Sequence, residues 1–379
     1  MTSPLPRRAY LAIELGPDEH AFTPNGAVVD GVLPGGMAEL AGVRAGDIVA
    51  SLGGASLRSL DELGVALRLV ARRSTVALSY TRDGASILRD VSVISVPNEP
   101  GFAYDHVTLD DARLRVITSS VATPRALILA IQGIACDTIE SGPIAELARA
   151  WTAAGFDTLR IDKPGVGDSE GASCHAIDFD AELACFVEAA ERALALAEAR
   201  SIPLVLFGHS VGSIVAAALA PHVSPAAIVT YGAPFTRWLA CLVETTRRQL
   251  ALRGVDADAI ERAARHVHER AFVDGYNTRS AAYHRQLDQL DPAALWSRVT
   301  APTLVLRGEH DWVVRADDQA ALAAATGGTL VDLPGLDHVM GSHPDVATSQ
   351  TAYGAGPFDP AIASASIRWL EKTLIPSAR

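Results

Sequence analysis

Residues 203–213 read Pro203-Leu204-Val205-Leu206-Phe207-Gly208-His209-Ser210-Val211-Gly212-Ser213, and the reading of this stretch decides the fold. The run 204–207 is apolar without alternation, as in a strand covered on both faces. It passes into G-x-S-x-G, and an Ala-rich helical run follows at once. Strand, sharp turn and helix, with a serine on the turn, are the context of a nucleophile elbow. Gly208 and Gly212 carry no side chain, so strand and helix can approach closely around Ser210. Ser210 is then expected at the carboxyl edge of a sheet and at a helix N-terminus, which favours developing negative charge.

Working outward, apolar strands are expected at 126–131, 158–161, 204–207, 227–231, 303–306 and 330–333, alternating with helices. That alternation indicates an α/β fold with a mostly parallel sheet and helices on both faces. The segment 234–299 breaks it and reads as wholly helical. Asp291-Pro292 suits an N-cap followed by an N1 proline, and Gly254 suits a C-cap. The insertion starts where the strand 227–231 ends, so a lid over Ser210 is expected, with Trp238 in its wall.

A serine needs a base, and the base needs an orienting acid; on this fold the chain order is Ser, acid, His. Asp311 follows the strand 303–306, and His338 follows the strand 330–333. Glu309 lies nearer its strand end than Asp311 does. Asp317 and Asp318 read as helix-start residues, while His310 and His343 compete less well with His338. His209, inside the elbow, reads as packed or as a pocket wall. The oxyanion hole takes two backbone N–H groups. Val211 supplies one and Ile134 the other, in the loop Gln132-Gly133-Ile134-Ala135-Cys136. Cys136 reads as a pocket wall. The run 165–171, Gly-Val-Gly-Asp-Ser-Glu-Gly, fits no phosphate loop and reads as a turn packing beside the site.

The chain has 379 residues, 49% hydrophobic and 20% charged, enough for two globular domains. A net charge of -12 argues against nucleic acid or an anionic membrane surface as partner. The four cysteines form no CxxC pair and no Cys/His ligand set, so no metal or other cofactor is expected and the thiols read as reduced. No apolar h-region follows Arg7 and Arg8, and the apolar stretch 204–220 is interrupted by His209, Ser210 and Ser213. These features predict a cytoplasmic protein with no membrane span.

Over residues 102–376 the chain resembles the α/β-hydrolase family, and its tail after His338 looks like that of carboxylesterase-like members. The shared signatures are the glycine-rich turn at 165–171, the Gly-His-Ser-Val-Gly elbow, Gly-Glu-His-Asp at 308–311 and Gly-Leu-Asp-His at 335–338. The family usually has His-Gly in the oxyanion loop; here it is Gln132-Gly133. Residues 7–97 resemble a bacterial-type PDZ domain, on Gly35–Val49 and on Tyr10-Leu11-Ala12-Ile13. The second motif looks like the carboxylate-binding loop and its strand, with Ala12 in place of the usual glycine. The helix 60–70 would complete the groove. The division expected is therefore a PDZ-like domain at 1–97 and a hydrolase domain at 98–379, with the lid at 234–299.

The resemblance implies a serine hydrolase acting on an ester, thioester or amide through an acyl-serine, without a cofactor. Its partners would be a small-molecule or peptidyl acyl substrate and, at the PDZ-like domain, a C-terminal peptide. The alternatives are an acyltransferase or cyclase using the same three residues, and a non-catalytic peptide-binding protein on a hydrolase scaffold.

Overall fold

The computed structural model describes residues 4–16, 20–110 and 112–374. The chain divides into two compact units, Met1–Pro100 with Gly165–Ser173, and Gly101–Pro164 with Cys174–Arg379.

In the first unit the strands are β1 (Ile13–Leu15), β2 (Phe22–Thr23), β3 (Gly26–Val32), β4 (Ile48–Leu52), β5 (Ala55–Ser56), β6 (Thr75–Arg82) and β7 (Ala85–Ser92). The helices are α1 (Met37–Ala41) and α2 (Leu60–Val70). The sheet runs β1-β3-β4-β6-β7 and its pairs are antiparallel. Met37, Val49, Leu52, Ala66 and Leu78 are among its buried core residues. Helix α2 is amphipathic, with Ala66 and Val70 buried, and the Ser59 side chain caps it by accepting from the Glu62 N–H. In the motif Tyr10-Leu11-Ala12-Ile13 the strand starts only at Ile13. Ala12 has φ 62°, the left-handed region open to the usual glycine, so the backbone turns there without it. Tyr10 N–H donates to Ile94 O at 2.7 Å, and the Tyr10 and Leu11 carbonyls accept from the Met37 and Ala38 N–H groups at 3.0 Å each. The turn 165–171 groups with this unit: Asp168 accepts from the Arg7 side chain and, at 2.9 Å, from the Arg8 N–H.

In the second unit the strands are β8 (Phe102–Leu109), β9 (Ala112–Ser119), β10 (Leu127–Ile131), β11 (Asp157–Ile161), β12 (Leu204–His209), β13 (Ala227–Tyr231), β14 (Thr303–Gly308) and β15 (Thr329–Leu333). The helices are α3 (Gly142–Ala153), α4 (Phe179–Ala199), α5 (Val211–Val223), α6 (Trp238–Leu252), α7 (Ala257–Asp274), α8 (Ala281–Gln289), α9 (Pro292–Trp296), α10 (Ala316–Thr326), α11 (Val346–Thr351) and α12 (Ala361–Leu374). The sheet order is β15-β14-β13-β12-β10-β11-β9-β8. From β11 to β15 neighbouring strands pair in parallel, while the β8–β9 hairpin joins antiparallel. The hairpin was absent from the expected strands because β8 alternates exposed and half-buried residues at the sheet edge, with no apolar run.

Alternate residues of β10 serve opposite cores. Leu127, Leu129 and Ile131 meet Phe179 and Phe186 of α4, whereas Ile128 and Ala130 meet Trp151 of α3 and Ile362 of α12. The order changes direction at β10, which lies between β12 and β11; in such sheets the crevice beyond the strands' carboxyl ends is where ligands bind. Ile131 pairs with Gly208, so the loop after β10 opens beside the elbow.

The insertion is helical, as α6 to α9, and Asp291 caps α9 by accepting from Ala293 and Ala294 N–H groups. No helix among the described residues is long and apolar enough to cross a membrane.

Candidate active site

Ser210 links β12 to α5 with φ 53° and ψ −123°. A serine held there is strained, and its neighbours hold it. Its N–H donates to Tyr231 O at 2.9 Å, and its carbonyl accepts from Ser213 N–H at 2.9 Å and Ser213 Oγ at 2.6 Å. A Cβ on Gly208 would stand 2.6 Å from Gly212 O, and one on Gly212 would strike the Ile131 carbonyl. Both glycines are required by this close approach. Val211 opens α5, so its N–H belongs to the first turn, where donors lack an intrahelical acceptor.

His338 and Asp311 meet: Nδ1 of the histidine lies 2.9 Å from Oδ2 of the carboxylate. The other oxygen, Oδ1, accepts from the Val313 and Val314 N–H groups at 2.8 and 2.9 Å. The carboxylate is thus fixed from both sides, and Nε2 is the ring nitrogen left for other work. Ser210 and His338 line one cavity of about 590 Å³, together with His209, Ile134, Val339 and Tyr353.

The competing residues have other partners. Glu309 is exposed and accepts from the Gly335 N–H at 2.9 Å. Asp318 binds the Thr236 hydroxyl at 2.7 Å. His343 pairs with Asp337 at 2.9 Å, and Asp337 also accepts from Val339 and Gly341 N–H groups, so this second pair knots the loop that carries His338. His209 lies against the His338 carbonyl, Nε2 to O 2.8 Å. Burial, and then the His338 charge, push its pKa down to about 3. It is therefore neutral, donates from Nε2, and braces the His338 backbone.

The loop Gln132–Ala135 abuts the elbow: a Cβ on Gly133 would stand 3.1 Å from Ser210 Cβ. Two expectations fail here. Cys136 is not a pocket wall and not a reduced thiol; it forms a disulfide with Cys174, while Cys185 and Cys241 are free and buried. A spacing of 38 residues gives no sequence sign of the pairing, which arises because the loops after β10 and β11 leave adjacent strands. The insertion, moreover, supplies no residue to the Ser210 cavity. The lining comes from the segments 132–146, 209–210, 338–339 and 353–358. Trp238 is buried, its ring stacked on His284 and its Nε1 donating to His284 Nδ1 at 2.8 Å.

The sequence reading missed Gly232, which follows β13 and has φ 60°. A Cβ there would lie 2.9 Å from both Cε1 and Nδ1 of His338 and 3.3 Å from Asp311 Oδ2. A glycine directly after an apolar strand, on the edge that bears Ser210, was the available signal.

The family described as serine aminopeptidase, S33, matches residues 122–343, more than half of the chain. A PDZ domain matches residues 28–82. A probable periplasmic serine endoprotease DegP-like of Chlamydia trachomatis is 30% identical over 145 residues, which is 38% of this chain and 28% of that protein. The chain thus spans under a third of the curated relatives it matches. Among solved structures, a soluble variant of monoglyceride lipase from Saccharomyces cerevisiae, in complex with a substrate analogue, is similar at TM-score 0.51. It is 16% identical and covers 75% of this chain and 97% of that one. Est1E from Butyrivibrio proteoclasticus, with ferulic acid bound, gives TM-score 0.48 at 18% identity, covering 70% and 99%. The first of these shows the α/β-hydrolase fold.

The fit around Gly232 generates a test. Gly232→Ala is expected to push the His338 ring off Asp311 and lower kcat on the order of 10²-fold, since displacements near 1 Å cost that much. The measurement is steady-state kinetics alongside a melting curve; an unchanged kcat in a folded variant would show that the ring has room.

Proposed function

Because the chain belongs to the family described as serine aminopeptidase, S33, we propose that it is a serine hydrolase of an ester, thioester or amide, with Ser210, His338 and Asp311 as its triad. The observation that carries this is the Asp311–His338 contact at 2.9 Å beside a serine held at φ 53°. In the proposed reaction Ser210 Oγ attacks the acyl carbon, and its proton passes to Nε2 of His338. Asp311 holds the ring and stabilises the imidazolium. The oxyanion accepts from the Ile134 and Val211 N–H groups. The bond to the leaving group then breaks as His338 returns the proton to it, which leaves acyl-Ser210. Water, deprotonated by His338, attacks the acyl carbon, and Ser210 departs reprotonated.

Ser210→Ala is expected to lower kcat on the order of 10⁴-fold or more and to abolish labelling by a fluorophosphonate probe. His338→Ala should do the same, and Asp311→Asn should leave more activity, because the acid orients and does not react. Equal labelling of Ser210→Ala and wild type would overturn the nucleophile. A larger loss in Glu309→Gln than in Asp311→Asn would overturn the acid.

The PDZ domain is proposed to bind a C-terminal peptide at Tyr10, Leu11, Ala12 and Ile13. The φ of 62° at Ala12 supports this, since the backbone makes the turn that backbone capture of a carboxylate requires. Fluorescence anisotropy on the full chain is expected to find peptides whose binding is lost on C-terminal amidation. Equal binding of free and amidated peptides would remove the carboxylate pocket.

The cytoplasmic placement read from the sequence is a proposal that the Cys136–Cys174 disulfide puts to the test, because cytosolic proteins rarely keep one. Rapid alkylation of the protein in its native host, followed by mass spectrometry, is the measurement. A cytoplasmic protein is expected to yield alkylated Cys136 and Cys174. Protection of both would place the chain in an oxidising compartment.

A further inference from the structure

Behind the loop that follows β10, two cations and one carboxylate are buried together. Lys163, just after β11, is 1% exposed, Glu182 of α4 is 1% exposed, and Arg279, between α7 and α8, is 3% exposed. Lys163 Nζ donates to Gly133 O at 2.6 Å and to Ala135 O at 3.1 Å, and lies 3.1 Å from Glu182 Oε1. Arg279 Nη1 donates to Ile134 O at 2.9 Å, and Nη2 to Glu182 Oε2 at 2.6 Å. The Arg279 guanidinium sits 3.7 Å from the centre of the Tyr283 ring, whose hydroxyl donates to Glu182 at 3.2 Å. Three successive carbonyls of one loop therefore accept from buried cations. Burial pushes the Lys163 pKa down to about 8, against the pull of Glu182.

A buried charged cluster of this kind is weak evidence for stability, because the desolvation cost offsets the attraction. Its effect on the loop is specific. In a trans peptide unit the C=O and the N–H point in opposite directions, and the described residues hold no cis bond. The Gly133 carbonyl shares its unit with the Ile134 N–H. A cation drawing that oxygen to one side turns the Ile134 N–H to the other, and Gly133 and Ile134 both line the Ser210 cavity. Arg279 fixes the next unit in the same way, through the Ile134 carbonyl. Glu182 accepts from both cations, so the three side chains hold one another as well as the loop carbonyls.

Resting on the acyl-serine reading above, we infer that Lys163 and Arg279, paired through Glu182, are positioning residues that aim the Ile134 N–H at the oxyanion. Neither touches the reacting atoms; both act through the peptide planes of Gly133–Ala135. Their contribution grows with the negative charge on the substrate oxygen, so it is felt in the transition state more than in the bound substrate.

The test uses the full chain with Lys163→Met, which keeps the alkyl chain and removes the donors, and with the double variant Lys163→Met/Glu182→Gln, which removes the stranded carboxylate charge as well. Kinetics on a p-nitrophenyl ester, the Kd of a trifluoromethyl ketone that forms a tetrahedral adduct, the melting temperature and fluorophosphonate labelling are all measured. Lys163→Met is expected to lower kcat about 30-fold or more with KM within about threefold, and to weaken the ketone by the same factor as kcat/KM. The double variant is expected to recover melting temperature but not kcat. Either folded variant with kcat and ketone affinity within about threefold of wild type would overturn the inference, as would recovery of kcat in step with melting temperature. A wild type that is neither labelled nor active would instead overturn the acyl-serine reading, which separates the two failures. Where the single variant does not fold, the double variant decides.

Discussion

Ser210 is held at φ 53°, a conformation that costs a non-glycine residue of order 1–3 kcal/mol, and much of the second unit is arranged to hold it there. The constraint works in both directions along the chain. Upstream, β12 must end against the loop after β10, because Ile131 pairs with Gly208. Downstream, α5 must start within contact of that same loop, so Gly212 is hemmed in by the Ile131 and Gln132 carbonyls. A side chain at either glycine would separate strand from helix and relax the turn that sets Ser210 in the wall of the cavity. Strain of this kind persists only where the surroundings over-determine it, and here the Tyr231 carbonyl and the Ser213 side chain do so.

The parallel sheet then gives the other groups a common address. Lys163 follows β11, Ser210 follows β12, Gly232 follows β13, Asp311 follows β14 and His338 follows β15, all at the strands' carboxyl ends. Each stands at its strand's end or within five residues of it, so the sheet sets their separations more than the loops do. Asp311 is tied further by two backbone N–H groups, and the His338 loop by the Asp337–His343 pair. Three histidines near the site thus acquire different work from their partners alone: His338 faces a carboxylate and the cavity, His209 a carbonyl, and His343 a carboxylate on the far side of its own loop.

What could be read from the sequence was local. Ser210, Asp311 and His338 stand just beyond mostly apolar runs of four residues, and such a run followed by a polar residue at a strand end needs no knowledge of distant segments. The strand from Leu204 and the other parallel strands, β10, β11, β13, β14 and β15, were legible for the same reason, whereas β8, with its alternating edge pattern, was not. Gly232 was as local as Ser210, yet a glycine carries no chemistry to draw the eye, and its meaning appears only when His338 is seen to fill the space beside it. The Cys136–Cys174 bond and the Lys163–Glu182–Arg279 cluster depend on which loops the strand order brings together, and that order is not written at any one place in the chain.

The insertion shows how a correct local reading can lead to a wrong placement. Its helicity was plain in the sequence, and a helical segment leaving the sheet beside the elbow suggests a cover. Yet Trp238 turns inward to His284, and the Ser210 cavity is walled by other segments. The insertion nevertheless reaches the site from behind, through Arg279 on the Ile134 carbonyl. A lid acts by excluding water and shaping the acyl pocket, so it would govern which substrate is accepted. In the proposed chemistry a cation behind the loop after β10 acts on peptide dipoles that would serve every acyl substrate, so it would govern rate across substrates alike. The helices α6 to α8 also pack among themselves, and α8 packs on α4, so the segment that carries Arg279 is anchored at both ends. On that argument the insertion's bearing on the proposed chemistry is to hold one guanidinium still, and variation on its outer surface should leave substrate choice to the segments that line the cavity.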